Sequence, residues 1–359
     1  IMMAEVLIGR RGGRSPVNSL RAITGHDKLN PAWRMVGAVG VIAGFLILSF
    51  YSVIGGWAVS YVGTAASGEL TGQSAEAIGA IFSDLLEDPL TLLMWHTLFM
   101  ALVMLVVAKG VRAGLERAVS ILMPALFLLL LIVVGYAMTT GEFGRAVTFL
   151  FQPDFSKLTT SGILVALGHA FFTLSLGMAV MMAYGSYLPK GVSIAKTSIA
   201  VCVIDTGVAL LAGLAIFPIV FANGLEPGAG PGLIFQTLPL AFGQMTRITS
   251  TLGAGFVCWA LGIASILSLN LWSGFAPLGW IGMLEGKTIF DLLDFFTANI
   301  LLPLGGLLVA VFAGWVMSRK AMEDELALSE PMFRLWYITV RFITPVAVGA
   351  VFIYNLFGS

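Results

Sequence analysis

The chain has 359 residues, 58% of them hydrophobic and 11% charged, with a mean hydropathy of +0.97. A soluble domain carries about 25% charged residues, so these figures exclude an ordinary water-soluble globule. Nineteen basic residues balance nineteen acidic ones, which excludes a nucleic-acid surface built on net positive charge.

The chain opens in the middle of an apolar stretch that ends at Glu5. Lacking the basic start and cleavage site of a signal peptide, it reads as the end of a helix. Residues 10–34 then carry Arg10, Arg11, Arg14, Arg21, Lys28 and Arg34. Eight apolar runs follow, at roughly 36–62, 91–108, 118–138, 161–187, 198–222, 250–272, 295–317 and 336–356. Several exceed the roughly 20 residues that a helix needs to cross a bilayer.

Between the first two runs, residues 63–90 hold Glu69, Glu76, Asp84, Glu87 and Asp88 with no Lys or Arg, and 109–117 return Lys109, Arg112 and Arg117. Basic loops stay cytoplasmic, so the first span runs from inside to outside and the rest alternate. Carried forward, that parity puts 318–335 outside, although it holds Arg319, Lys320 and Arg334. One more crossing near residue 245 restores agreement, so a helix is expected to be missing from the chain there.

Two features inside the spans bear on function. The run 161–187 contains Phe172, Thr173, Leu174, Ser175, Leu176 and Gly177, two hydroxyls and a glycine at mid-membrane depth. Unwound backbone is tolerated there only where it is buried or lines a cavity, as in the discontinuous helices of transporters. A break within 172–178 is expected; an unbroken helix whose hydroxyls bond back to the preceding turn is the alternative. The second feature is Asp205, inside the run 198–222 with no Lys or Arg in the neighbouring spans. A carboxylate near the bilayer centre costs about 2.5–3.5 kcal/mol. A bound cation offsets that cost; protonation or snorkelling is the alternative.

Residues 223–245 are punctuated by Pro227, Pro231 and Pro239, and Leu233, Ile234, Phe235, Leu238 and Leu240 are too apolar to leave in water. They are expected to form short helices capping an outer vestibule. Other patterns carry less. The stretch from Gly282 to Gly286, Lys287 and Thr288 has three residues between its glycines where a phosphate-binding loop needs four. Cys202 and Cys258 lie in apolar runs, and His26, His96 and His169 are too scattered for a metal motif. The small-residue series Gly40, Gly44 and Gly306, Ala310, Gly314 serves close helix packing.

The stretch from Phe171 to Met178 with Tyr184, Gly185, Ser186 and Tyr187 resembles the neurotransmitter:sodium symporter family. Residues 1–12 are similar to the end of that family's second helix and its first cytoplasmic loop, 230–239 to its fourth external loop, and 290–306 to its tenth helix. The resemblance runs through the whole chain in order, with the first, most of the second and the eighth helix absent. It implies an all-α polytopic membrane protein with an inverted-repeat transporter fold, incomplete here, and a discontinuous helix. The expected organisation is one transmembrane domain over 1–359: the end of a helix and a cytoplasmic loop (1–35), five spans (36–222), an external loop (223–249) and three spans (250–359).

The resemblance also assigns roles. Ile47, Tyr51, Phe172, Thr173, Ser175 and Met178 fall at substrate-pocket positions, with the Tyr51 hydroxyl on the substrate carboxylate and Phe172 as an aromatic lid. Thr173 and Asp205 fall at sodium-ligand positions; an acid at 205 supplies negative charge and implies chloride independence. Asp294 falls at the outer gate, and His169 stands where relatives commonly have glutamine. The implied activity is sodium-coupled symport of an amino acid across the bacterial cytoplasmic membrane, with no enzymatic chemistry. A proton-coupled carrier on the same fold and a transport-incompetent homologue stay open. The expected partners are the amino acid, Na+ and the lipid bilayer, with homodimerisation open and no nucleic acid.

Overall fold

A computed structural model describes residues 1–70, 72–224, 227 and 265–357. Every regular element among them is helical: α1 (Met2–Gly12), α2 (Pro16–His26), α3 (Arg34–Ser67), α4 (Ala75–Glu87), α5 (Pro89–Ala108), α6 (Arg117–Ala137), α7 (Phe143–Phe151), α8 (Thr160–Thr173), α9 (Val180–Gly185), α10 (Ile194–Ala222), α11 (Ile289–Phe295), α12 (Leu302–Val311), α13 (Arg319–Leu326), α14 (Glu330–Ile338) and α15 (Thr344–Phe357). π-helical turns join α11 to α12 and α14 to α15, and another ends α12. Six helical stretches are long and apolar enough to cross a membrane: Pro31–Ser67, Pro89–Ala108, Gly114–Ala137, Ile194–Ala222, Ile289–Val316 and Glu330–Leu356. Of the expected span 250–272 only 265–272 are described, and of the expected cap at 223–245 only 223, 224 and 227; position 245 lies outside the described residues.

Local chemistry sets the boundaries. Asp88 caps α5, its Oδ1 accepting from the amides of Leu90 and Thr91, with Pro89 at the first helical position. Thr288 and Asp291 form a reciprocal capping box at the start of α11. Gly13 and Gly68 end α1 and α3 in the left-handed conformation.

The inter-span segments hold more structure than their charge implies. Within the acidic stretch 63–90, α4 lays Ile78, Phe82 and Leu85 on the outer end of α3. Trp57 meets the Phe82 ring edge-on at 5.5 Å. The largest core lies at the other end, where α1, α2, α9, α12, α13 and α14 converge on Leu7, Ile8, Leu20, Met182, Phe312 and Phe333. There α1 is enclosed on every side: Met2, Ala4, Glu5, Val6, Leu7, Ile8, Gly9 and Arg10 are all buried. By contrast α6 leaves Ile121, Leu128 and Leu129 exposed, as a lipid-facing helix does.

One ion pair settles sidedness. Arg10 Nε donates to Glu325 Oε2 at 2.8 Å, and the same guanidinium donates to the carbonyl of Val192 at 2.6 Å. The segment 318–335 therefore shares a face with the basic segment 10–34. Strict alternation of the apolar runs puts it on the opposite face; one more crossing puts it where it is found.

Candidate functional site

The expected break is present. Helix α8 stops at Thr173 and α9 starts at Val180, and Ser175, Gly177 and Ala179 adopt left-handed backbone with φ of 53°, 83° and 59°. The amides of Ser175 and Leu176 turn back to the carbonyls of Phe172 and Phe171, at 3.1 and 2.9 Å, and the helical ladder ends there. A non-glycine residue in this region is strained, and such strain persists only where surroundings impose it.

Three elements impose it. From α1, Glu5 Oε1 accepts the Gly177 amide at 2.7 Å, in a fully buried setting. From α12, the backbone at Leu302, Gly305 and Gly306 approaches Gly177 so closely that a Cβ on Gly177 would lie 2.9 Å from the Gly306 nitrogen. From α3, a Cβ on Gly40 would lie 2.7 Å from that of Ala179. The break is thus wedged between three helices, and its geometry depends on glycine where backbones meet.

Glu5 was not among the residues expected at the site. Its signal is a single carboxylate in the apolar run 1–8; its partner lies 172 residues away. Oε2 of Glu5 is buried without a hydrogen-bond partner.

Of the expected pocket residues, the structure brings Tyr51 and Phe172 together and sets Met178 against α3. Ile47 and Tyr51 lie on α3, one helical turn apart. Tyr51 and Phe172 have ring centres 5.6 Å apart, and Met178 faces α3 at Gly44, where an added Cβ would sit 3.5 Å from the Met178 carbonyl oxygen. Ser175 and Met178 are half-buried in the unwound segment. Beside Tyr51, Phe50 packs edge-on against Phe290 at 5.6 Å, tying this part of α3 to the start of α11. On α11, Asp294 lines a cavity with Glu285, Lys287, Asp291, Phe295 and Asn299.

The two residues expected to hold sodium are not joined. Thr173 is exposed, its hydroxyl donating only to the Ala170 carbonyl at 3.5 Å. Asp205 is half-buried on α10, and no hydrogen bond or ion pair reaches it among the described residues. Helix α10 packs on α6, α7 and α1, whereas α8 packs on α12 and α15. His169 lies on α8, exposed.

Chemically, the arrangement offers an aromatic pair, Tyr51 and Phe172, beside an unwound backbone segment, and an acidic cavity lined by Asp291 and Asp294. It contains no nucleophile–base pair and, among the described residues, no cluster of three metal-ligating side chains.

Comparison with known proteins gives a consistent result. The model of the sodium:neurotransmitter symporter family matches residues 72–269. An uncharacterised sodium-dependent transporter of Bacillus subtilis is 37% identical over 403 aligned positions, covering 100% of this chain and 86% of the relative. Since the chain has only 359 residues, that relative carries internal residues that this chain lacks. An uncharacterised sodium-dependent transporter of Haemophilus influenzae is 31% identical, covering 99% of this chain and 87% of its own length. Among solved structures, MhsT in complex with L-phenylalanine superposes with a TM-score of 0.83 at 34% identity, over 99% of this chain and 87% of MhsT.

Proposed function

The chain belongs to the sodium:neurotransmitter symporter family, and on that premise we propose that it carries an amino acid into a bacterial cell across the cytoplasmic membrane, driven by sodium and independent of chloride. The observation that carries this reading is the break at residues 174–179 with Phe172 set against Tyr51. Unwinding frees amides and carbonyls for the two charged ends of an amino acid at a depth where free backbone is otherwise forbidden. The paired rings favour an apolar side chain. L-phenylalanine in MhsT supports the same class of substrate.

In this reading Tyr51 donates its hydroxyl to the substrate carboxylate, Phe172 closes over the substrate, and Ile47, Thr173, Ser175 and Met178 complete the wall. Sodium is co-substrate, bound by the Thr173 hydroxyl and the Asp205 carboxylate with backbone carbonyls. Both side chains are free of competing strong bonds, as ligands for a hard cation need to be. The coupling is reciprocal: sodium that stabilises the substrate-binding conformation is itself bound more tightly when substrate is present. Asp294 closes the outer mouth. The whole chain is read as one transmembrane domain.

The test is uptake against sodium concentration in proteoliposomes, with chloride either present or replaced by gluconate, on a form extended to the full length of its relatives. Uptake should rise with sodium and ignore the anion. Asp205→Asn should weaken sodium dependence or create a chloride requirement, and Asp205→Ala should abolish coupled uptake. If Asp205→Asn matches the parent in both salts, the sodium-ligand role is wrong. Uptake that survives sodium removal and collapses with the pH gradient would instead favour proton coupling.

A further inference from the structure

The span at 336–356 carries an arginine to which no acid is paired. Arg341 lies in the π-helical turn Thr339–Ile343 between α14 and α15, a distortion that often marks functional positions. Its guanidinium carbon stands 4.5 Å from the ring centre of Trp315, 5.5 Å from Tyr337 and 5.6 Å from Phe342. One terminal nitrogen donates to the Tyr337 hydroxyl, and Nε is buried without a partner. Among the described residues no carboxylate comes within ion-pair distance of it. The Trp315 indole N–H donates to the Arg341 carbonyl at 3.0 Å, which fixes the ring beside the charge.

Depth follows from the neighbours. Trp315 is the penultimate residue of the span Ile289–Val316, and charged α13 begins at Arg319. Helix α13 is held to the basic side through Arg10 and Glu325. Arg341 therefore stands at the inner membrane boundary, where tryptophan is enriched. Seven residues nearer the water, Arg334 is exposed and lines a groove with Glu330, Pro331, Leu335 and Ile338. Among the described residues lining that groove the carboxylate is Glu330, which is held by Arg319 at 2.6 Å. On the membrane side, Phe342 and Val346 are 52% and 74% exposed.

We infer that Arg341 and Arg334 bind the phosphate of an anionic phospholipid of the inner leaflet, whose acyl chains run along Phe342 and Val346. A guanidinium fork matches phosphate oxygens, and here the two forks border lipid-facing apolar surface. A ligand that joins anion to hydrocarbon satisfies both; free phosphate satisfies one. The proposal stands independently of what is transported.

The experiment uses the protein in vesicles of phosphatidylcholine, with brominated phosphatidylglycerol or brominated phosphatidylcholine added at equal mole fraction. Quenching by bromine reports lipid beside tryptophan. Of the eight tryptophans, the Trp315 signal is isolated by subtracting the Trp315→Phe protein. Phosphatidylglycerol should be preferred over phosphatidylcholine at Trp315 by about fivefold per engaged arginine. Arg341→Gln should remove most of that preference, Arg341→Lys should keep part of it, and Arg334→Gln, at an exposed position, should reduce it without threatening the fold. Equal quenching by the two lipids in the parent overturns the proposal, as does an undiminished preference in either glutamine variant.

Discussion

At Gly177 the backbone holds φ at 83°, its amide is donated to Glu5, and the chain of α12 stands where a side chain would be. Gly177→Ala should therefore lose about 1–2 kcal/mol from left-handed backbone and a further 1–3 kcal/mol from overpacking. Thermal unfolding of the purified protein measures this. Gly191→Ala, with nothing within 4 Å of its Cβ, is the control and should change stability by no more than about 0.5 kcal/mol. The break itself was legible in the sequence, because Thr173, Ser175 and Gly177 are poor material for an apolar helix at that depth. What braces it was not. Glu5 reads as one acid in an apolar run, and only folding brings it to Gly177. Tyr51 and Phe172 have ring centres 5.6 Å apart, whereas Thr173 and Asp205 share no bond, and nothing local in either segment could say so.

Among elements, the clasp around Arg10 makes the clearest prediction. Its guanidinium reaches the side chain and backbone carbonyl of Glu325 on α13 and the carbonyl of Val192 before α10, and both charged side chains are under 10% exposed. Removing one partner of a buried pair costs about 3–5 kcal/mol, because the other charge is left uncompensated. Arg10→Ala should be destabilised by that order in a denaturation assay. Glu325→Gln, which keeps a hydrogen-bond acceptor, should lose less, and the double variant should lose less than the sum. At the outer face, α5 should respond to acid through its cap. The Thr91 hydroxyl and the amides of Thr91 and Leu90 hold the Asp88 carboxyl below the usual carboxylate range. A depressed folded-state value means the cap's contribution is complete above the unfolded value of about 3.9 and is lost as pH falls through the folded one. Amide exchange at Leu90 and Thr91 should accelerate below that window, and Asp88→Asn should remove the pH dependence. Helix α4 shows why charge alone misreads a loop: Ile78, Phe82 and Leu85 repeat at helical spacing within an acidic segment, and it is that spacing which docks on Trp57.

At the scale of the whole molecule, the long apolar runs give the spans directly, since few structures besides a helix satisfy backbone in lipid. Topology was harder. Counting crossings from charge led to a contradiction at 318–335, and the contact of Arg10 with Glu325 puts that segment on the same face as the basic segment 10–34. The π-helical turns at 296–301, 312–316 and 339–343 left no mark that a period of 3.6 residues could reveal, because each shifts register inside an otherwise apolar helix.

The same clasp has a consequence for how the protein is made. Arg10 and Glu325 are separated by 315 residues, so α1 is synthesised long before the groups that satisfy it. At about 5–20 residues per second, a ribosome needs tens of seconds to cover that distance. Until then Arg10 has no partner on α13, and α1 lacks the walls that α12, α13 and α14 later provide. The helix should therefore stay at the membrane surface or in the care of the insertion machinery, and dock last. Stalled nascent chains ending before residue 319 should leave a cysteine placed at Arg11 open to a water-soluble maleimide, and chains extended past residue 357 should protect it. Protection already complete in the shorter chains would show that α1 finds its place without its final partners.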